Sequence, residues 1–182
     1  MVTKQVSFYE EMTNVPFIIA GPGIHPRQKP VEDLLTQPTI DLLPTLCELA
    51  GIPVPSSKPG ISLAPFLKGE KQKRQHPYAA SEWHSEYEVT VSPGRMIRSP
   101  RYKYTHYLEG NGEELYDMLK DKGERRNLAH DPKYSKILAE HRALLDDYIR
   151  RTQDDYRSLK VEADKRWRSH APGYPNHEGP CA

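Results

Sequence analysis

The sequence predicts an α+β fold: a partial α/β element of one buried strand and a helix, followed by a small four-stranded antiparallel sheet packed by a C-terminal helix. Three observations lead to this prediction. Residues 14–20 form a short apolar segment whose first residue, Asn14, is its one polar member; residues 102–107 alternate aromatic with polar side chains; and residues 137–149 carry an amphipathic helical stripe. The first pattern is typical of a strand buried on both faces, the second of a half-buried strand, and the third of a surface helix.

Composition excludes several classes of protein. The 182 residues include 26 basic and 25 acidic side chains, so the net charge of +1 gives no field that would attract nucleic acid or an anionic membrane. No run of about 18 apolar residues is present, so we predict no membrane span. Seventeen prolines indicate many turns and argue against a helical bundle.

The predicted buried strand, Asn14–Ala20, ends at Gly21-Pro22-Gly23, which is a strong turn signal. A lone strand needs partners, and none is obvious in the neighbouring sequence. A helix is predicted next over Thr39–Ala50, ended by Gly51 and Pro53. We expect this helix to bury one face against the sheet, through apolar residues at helical spacing: Ile40, Leu43, Leu46, Cys47 and Ala50.

The second half of the chain predicts the antiparallel sheet. Its four strands are Tyr78–Trp83, Arg95–Arg98, Tyr102–Tyr107 and Glu114–Asp117, with a hairpin turn at Gly110-Asn111-Gly112. Asp131 and Pro132 then begin a helix as N-cap and first helical residue. Residues 151–168 could extend this helix, whose predicted stripe is Ile137, Leu138, His141, Leu144, Leu145, Tyr148 and Ile149.

Four groups of segments, in this order between residues 4 and 129, resemble the sulfatase family of the alkaline-phosphatase-like superfamily. No single segment is specific, but their order and spacing are. They are Lys4-Gln5-Val6-Ser7-Phe8-Tyr9-Glu10 with Val15-Pro16-Phe17; Ile40-Asp41-Leu42-Leu43-Pro44-Thr45 with Ala50-Gly51-Ile52-Pro53; Gly60-Ile61-Ser62-Leu63; and Arg98-Ser99-Pro100-Arg101-Tyr102-Lys103-Tyr104 with Glu114-Leu115-Tyr116-Asp117 and Glu124-Arg125-Arg126-Asn127-Leu128.

The resemblance implies a metal-dependent sulfuric ester hydrolase. Family members convert a Cys or Ser in a Cys/Ser-x-Pro-x-Arg motif to formylglycine, and calcium, lysines and histidines hold the sulfate oxygens. This sequence has neither that motif nor a strand-end pair of aspartates for calcium. Calcium and formylglycine are therefore expected only in the full-length enzyme, with no metal bound by this chain. The isolated chain is predicted to be inactive.

The resemblance also gives a domain prediction. Residues 1–55 would be a remnant of the large α/β sulfatase domain, 56–77 a linker, 78–168 a C-terminal subdomain, and 169–182 a flexible tail. The expected partners are a sulfate-ester substrate and the missing N-terminal part of the same enzyme, with no nucleic acid. Because many sulfatases are exported, a periplasmic or secreted location fits the full-length enzyme, but the sequence leaves location open.

Two site residues are predicted. Lys4 matches the family lysine that contacts the sulfate, a task suited to an ammonium with three donors. His84 follows a strand end, where it would contact a sugar or aryl group of the substrate or else be an ordinary surface histidine. Arg98 and Arg101 could bind anions but are interpreted as turn charges, and Lys103 with His106 as the water-facing side of a strand.

Two alternatives stay open beside a sulfatase acting on sulfated carbohydrate or aryl sulfate. One is a non-catalytic α+β module that binds a ligand or partner through its sheet edge. The other is part of a phosphonate or phosphate monoester hydrolase of the same superfamily.

Overall fold

The computed structural model describes residues 7–26, 31, 34–56, 59–71, 76–83, 93–108 and 112–158. The regular elements of these residues are helices α1 (Glu10–Thr13), α2 (Pro38–Leu49) and α3 (Ala64–Leu67), strands β1 (Ala79–Trp83), β2 (Gly94–Arg98), β3 (Tyr102–Tyr107) and β4 (Glu113–Asp117), and helix α4 (Ser135–Thr152). Short 3-10 helices at Pro132–Tyr134 and Tyr156–Ser158 flank α4. None of the helices in the described ranges is long and apolar enough to cross a membrane.

The strands form one four-stranded antiparallel sheet, as predicted, and their order is β1-β2-β3-β4. Ile97 lies opposite Tyr104, and Tyr104 opposite Leu115. Because side chains alternate along a strand, these three residues share one face of the sheet, here called the helix face. Lys103 and Thr105 lie on the other, here called the opposite face.

The main core lies between the helix face and α4. Leu138 and Leu145 of α4 pack in one buried cluster with Ile97, Tyr104 and Leu115 of the sheet. Burying such side chains stabilises a fold by roughly 1.5–3 kcal/mol each. The predicted sheet, the amphipathic stripe of α4 and their packing are therefore confirmed.

The ends of α4 follow from local chemistry. Asp131 and Pro132 begin the 3-10 helix that leads into α4 and not α4 itself, whose N-cap is Tyr134: the Asp131 carboxylate accepts a hydrogen bond from the Lys133 N–H at 3.1 Å, and Pro132 is the first residue of that 3-10 turn. At the other end Gln153 adopts a left-handed conformation, with φ of 55°, which turns the chain out of the helix. The helix therefore does not extend through the predicted residues 151–168. Residues 159–182, including the predicted tail, lie outside the described residues.

Helix α2 forms as predicted but buries a different face. Asp41, Pro44 and Thr45 are buried, whereas Leu43 and Leu46 are 44% and 50% exposed. Within the described residues the apolar stripe does not pack on a sheet, and α2 instead packs on α3 and on the loop before it through polar contacts.

The predicted strand over residues 14–20 is not formed. After α1 the chain is irregular and largely exposed, with Val15 51% and Ile18 86% accessible to solvent. An isolated strand leaves its backbone N–H and C=O groups without a ladder. No strand within the described ranges lies beside this segment to supply one.

Candidate functional site

Both predicted site residues, Lys4 and His84, lie outside the described residues. Phe8, four residues after Lys4, and Trp83, directly before His84, are described. The backbone carbonyl oxygen of each accepts a hydrogen bond from a charged side chain. Within the described ranges, no group of three or more His, Cys, Asp and Glu side chains is arranged to hold a metal ion. What the structure does show is three buried polar clusters, each joining distant parts of the sequence.

The first cluster surrounds Lys103, on the opposite face of the sheet. Its side chain is fully buried, and Nζ lies 2.7 Å from Glu124 Oε1 and 3.0 Å from Glu10 Oε1. The same ammonium donates a hydrogen bond to the Phe8 carbonyl oxygen at 2.8 Å. The Glu10 backbone N–H donates to Glu124 Oε1, also at 2.8 Å. The segment Phe8–Glu10 is thus bound by one buried ion pair.

Aromatic packing completes this attachment. The Phe8 ring lies 5.8 Å from the ring of Tyr107, centroid to centroid, and covers Gly94 so closely that a Cβ there would be 2.6 Å from the Phe8 ring. Real Cβ atoms do not approach other atoms so closely, so only glycine fits at residue 94 without a shift of Phe8. Phe8 itself is buried.

The second cluster surrounds Asp41, which is fully buried in α2. One carboxylate oxygen accepts from the Ile61 N–H at 2.8 Å and lies 2.7 Å from His76 Nε2. The other accepts from the Gln37 N–H at 2.7 Å. One turn later the Thr45 hydroxyl accepts from the Leu63 N–H at 2.9 Å. These contacts attach the loop before α3 to the helix.

Gly60 lets this loop approach α2. Pro44 has no N–H to donate, so the Ile40 carbonyl four residues earlier lacks its usual helical partner. A Cβ at residue 60 would lie 1.9 Å from that Ile40 oxygen. Glycine is therefore required at residue 60 by close backbone contact.

The third cluster joins the residues that follow α4 to the sheet. The buried Arg95 guanidinium forms paired hydrogen bonds with the Asp154 carboxylate, at 2.6 and 2.9 Å, and donates to the Trp83 carbonyl oxygen at 2.9 Å. It also lies over the Tyr156 ring, 4.4 Å from the centroid. The Tyr156 hydroxyl contacts His106 Nδ1 at 2.7 Å. Burial is the main influence on His106 and lowers its pKa.

These contacts correct one interpretation and support another. Lys103 is fully buried and His106 is held by Tyr156, so they do not form a water-facing side of β3. The sequence could not reveal this, because strand alternation assigns faces without showing what covers them. Arg101 is a turn charge, as interpreted, and forms a paired contact with Asp117. Arg98 donates to the Ser99 carbonyl oxygen but also lies 3.7 Å from the Glu10 carboxylate, so it borders the Lys103 cluster.

The segments that carried the sulfatase resemblance therefore meet in pairs. Tyr9-Glu10 meets Glu124 at the Lys103 cluster, and Asp41 meets Ile61 at the Asp41 cluster. Comparison with known proteins gives the family directly: the family model described as N-sulphoglucosamine sulphohydrolase, C-terminal, matches residues 3–151. The chain belongs to this family. The predicted resemblance is confirmed.

Relatives of this chain carry sulfatase names. It is 77% identical over all of its 182 residues to the Delta 4,5-hexuronate-2-O-sulfatase of Bacteroides thetaiotaomicron, but it spans only 38% of that relative's length. A solved structure described as a 2-O GAG sulfatase matches 99% of the chain, with a TM-score of 0.87 and 77% identity, and 39% of that structure is covered.

A more distant solved structure is described as a complex with its substrate D-glucosamine-2-N,6-O-disulfate. It matches 64% of the chain with a TM-score of 0.57 and 27% identity, and 25% of that structure is covered. The described sheet and helices are thus those of a sulfatase C-terminal region.

Proposed function

We propose that this chain is the C-terminal part of a sulfatase that hydrolyses the 2-O-sulfate ester of an unsaturated hexuronate in a sulfated carbohydrate. The observation that carries the proposal is the 77% identity to the hexuronate-2-O-sulfatase across the whole chain. The same relative favours sulfate over phosphonate or phosphate as the ester group. A purely non-catalytic binding module has no comparable support.

In this proposal the chain contributes only part of the active site. Sulfuryl transfer to water develops negative charge on the ester and leaving oxygens, and a fixed ammonium, here that of Lys4, stabilises such charge. His84 would contact the sugar. The sequence has no Cys/Ser-x-Pro-x-Arg motif, and the described acidic and histidine side chains form no metal group. The residues present therefore do not fit calcium or formylglycine, and we assign neither to this chain.

The remainder of the enzyme would dock on the exposed apolar side of α2. Leu42, Leu43 and Leu46 lie on adjoining turns of the helix and are 41–50% exposed. Ile18 and Val15, in the irregular segment after α1, add further exposed apolar surface. Exposed apolar side chains grouped on one face of a helix, as on α2, are typical of an interface. The length by which the relatives exceed this chain supplies the polypeptide that would cover it.

The activity is tested in a chimera. This chain replaces the corresponding residues of the Bacteroides thetaiotaomicron hexuronate-2-O-sulfatase, and desulfation of a 2-O-sulfated unsaturated uronate disaccharide is measured beside a phosphonate monoester. We expect turnover of the sulfate ester, reduced about 100-fold or more by Lys4→Ala. No turnover of either ester would refute the proposal, and turnover of the phosphonate alone would favour the phosphonate hydrolase.

The docking surface has its own test. The chain is co-expressed with the remaining part of the same relative, and association is measured by co-purification. Leu46→Asp should abolish it, whereas Leu119→Asp, which changes an apolar residue exposed by 67% elsewhere on the chain, should not. Equal association of the two variants would contradict docking through α2.

A further inference from the structure

The Lys103 cluster places full charges where the fold could have used apolar side chains. Lys103 is fully buried and Glu124 is 2% exposed, on the face of the sheet away from the main core. Removing two charges from water costs more than a well-packed apolar pair would, so a buried ion pair is a poor source of stability. A buried pair is, however, costly to separate, since moving either partner away leaves a charge buried without its counterpart.

This pair also contacts the Phe8–Glu10 segment. Two backbone groups of the segment form hydrogen bonds with the ion pair. The Lys103 ammonium donates to the Phe8 carbonyl oxygen, and the Glu10 N–H donates to the Glu124 carboxylate. Glu124 holds its carboxylate in place from a left-handed backbone conformation, with φ of 52°, which non-glycine residues adopt at a cost. A costly backbone conformation of this kind is typical of residues that the surrounding structure holds in one orientation, and such residues cluster at functional sites.

Aromatic contacts also hold the segment against the sheet. Phe8 lies against Gly94 and Tyr107, and the Tyr9 ring lies 6.4 Å from that of Tyr116. The chain immediately after α1 makes no comparable attachment and is largely exposed. The anchorage is therefore concentrated on Phe8–Glu10, which begins four residues after Lys4 in the sequence.

We infer that Lys103 and Glu124 are positioning residues of the sulfatase site, which register the Phe8–Glu10 segment on the C-terminal sheet and thereby set the place of the lysine that precedes it. This inference rests on the proposed function. Neither residue touches the substrate in this account. They act through the backbone of Phe8–Glu10, and the C-terminal sheet is the fixed body against which that backbone is held.

The test uses the double variant Lys103→Met/Glu124→Leu in the active chimera. It removes both charges together, so that neither is left buried and unpaired. The matched control is Ser99→Ala/His141→Leu, which removes another buried hydrogen-bonded pair, 2.9 Å apart, between the sheet and α4. We expect kcat/KM of the first variant to fall about 100-fold, mainly through kcat, and that of the control to stay within about threefold.

A second readout follows the segment itself in the 182-residue chain. Hydrogen exchange at the Glu10 amide, whose acceptor is the Glu124 carboxylate, should accelerate at least tenfold in the first variant and not in the control. An active chimera whose two double variants keep equal kcat/KM overturns the inference alone, as does unchanged exchange at Glu10. A chimera inactive before any substitution overturns the proposed function and the inference with it.

Discussion

The carboxylate of Asp41 accepts a hydrogen bond from the backbone N–H of Ile61 at 2.8 Å, although 20 residues separate them in the sequence. The Ile61 side chain takes no part, so Asp41 supplies the one side chain on which this contact depends. The loop before α3 is thus held to α2 by a carboxylate that is itself fully buried.

Replacing Asp41 by alanine should therefore destabilise the chain by about 3 kcal/mol, because the N–H groups of Ile61 and Gln37 lose their acceptor in a buried place. Urea unfolding followed by circular dichroism measures this as a lower midpoint. Glu48→Ala, which removes an exposed carboxylate from the same helix, is the control and should change the midpoint little. Equal midpoints for the two variants would contradict the role assigned to Asp41.

Gly60→Ala should also be severe, because the new Cβ would lie 1.9 Å from the Ile40 carbonyl oxygen, a backbone atom that cannot turn aside. We expect a loss of about 3 kcal/mol, measured as a fall in Tm of roughly 10 °C. Gly21→Ala is the matched control, since a Cβ at residue 21 meets nothing within 4 Å. A Tm for Gly60→Ala close to that of the control would show that the loop tolerates displacement.

Stability should fall as the pH drops below about 6.5, the ordinary pKa of histidine. Burial lowers the pKa of His141, and burial likewise lowers that of His106, so both rings resist protonation in the folded state. Below pH 6.5 the unfolded chain takes up protons that the folded chain does not, and unfolding is favoured until the lowered pKa values are passed.

The measurement is the free energy of unfolding between pH 7.5 and about 5. His141→Gln should flatten this dependence. His130→Gln, which replaces an exposed imidazole, is the control for the substitution itself. A pH profile that His141→Gln does not alter would exclude His141 as a source of the acid sensitivity.

Arg142 should protect the fold at lower pH. Hydrogen bonds from Arg142 are the main reason that the pKa of Glu113 is lowered to about 2, and the Tyr104 hydroxyl adds to the effect. A lowered carboxyl pKa contributes stability that is present above about pH 4.5 and lost as the pH falls towards 2. Arg142→Met should raise the Glu113 pKa towards its ordinary value, which a carbon-13 titration of its carboxyl group would report.

The control for this prediction is Arg150→Met, which removes the same charge from α4 at an exposed position paired with Asp147. Because Arg150 does not contact Glu113, the Glu113 titration should stay where it is. A similar upward shift in both variants would point to a general loss of positive charge rather than to the direct contact.

The C-terminal sheet could be predicted because its signals are local. Alternation along Tyr102–Tyr107 and the apolar stripe of α4 each depend only on neighbours a few residues apart. The burial of Lys103 could not be predicted in this way, since its partners lie 95 residues before it at Phe8 and 21 after it at Glu124. Lysine is ordinarily an exposed residue, and no periodicity marks the exception.

The first part of the chain differs for a related reason. The strand predicted over residues 14–20 needs sheet partners that are not obvious in this sequence, and within the described residues this segment and much of α2 stay accessible to solvent. Hydrophobicity shows that a side chain favours burial without showing which polypeptide supplies the cover. Pro44 shows a second limit, because it lies inside α2, beyond the first turn. Its missing N–H leaves the Ile40 carbonyl oxygen without its helical partner, and Gly60 approaches that oxygen closely.

The left-handed turn at Gln153 bears on how this region should be cut for expression or fusion. The family match ends at residue 151, almost where α4 stops, and a boundary drawn there would look natural. It would remove Asp154 and Tyr156, leaving the buried guanidinium of Arg95 without its carboxylate and without the ring beneath it. The smallest piece worth producing therefore runs to residue 158 at least, and a tag or partner domain belongs beyond that point.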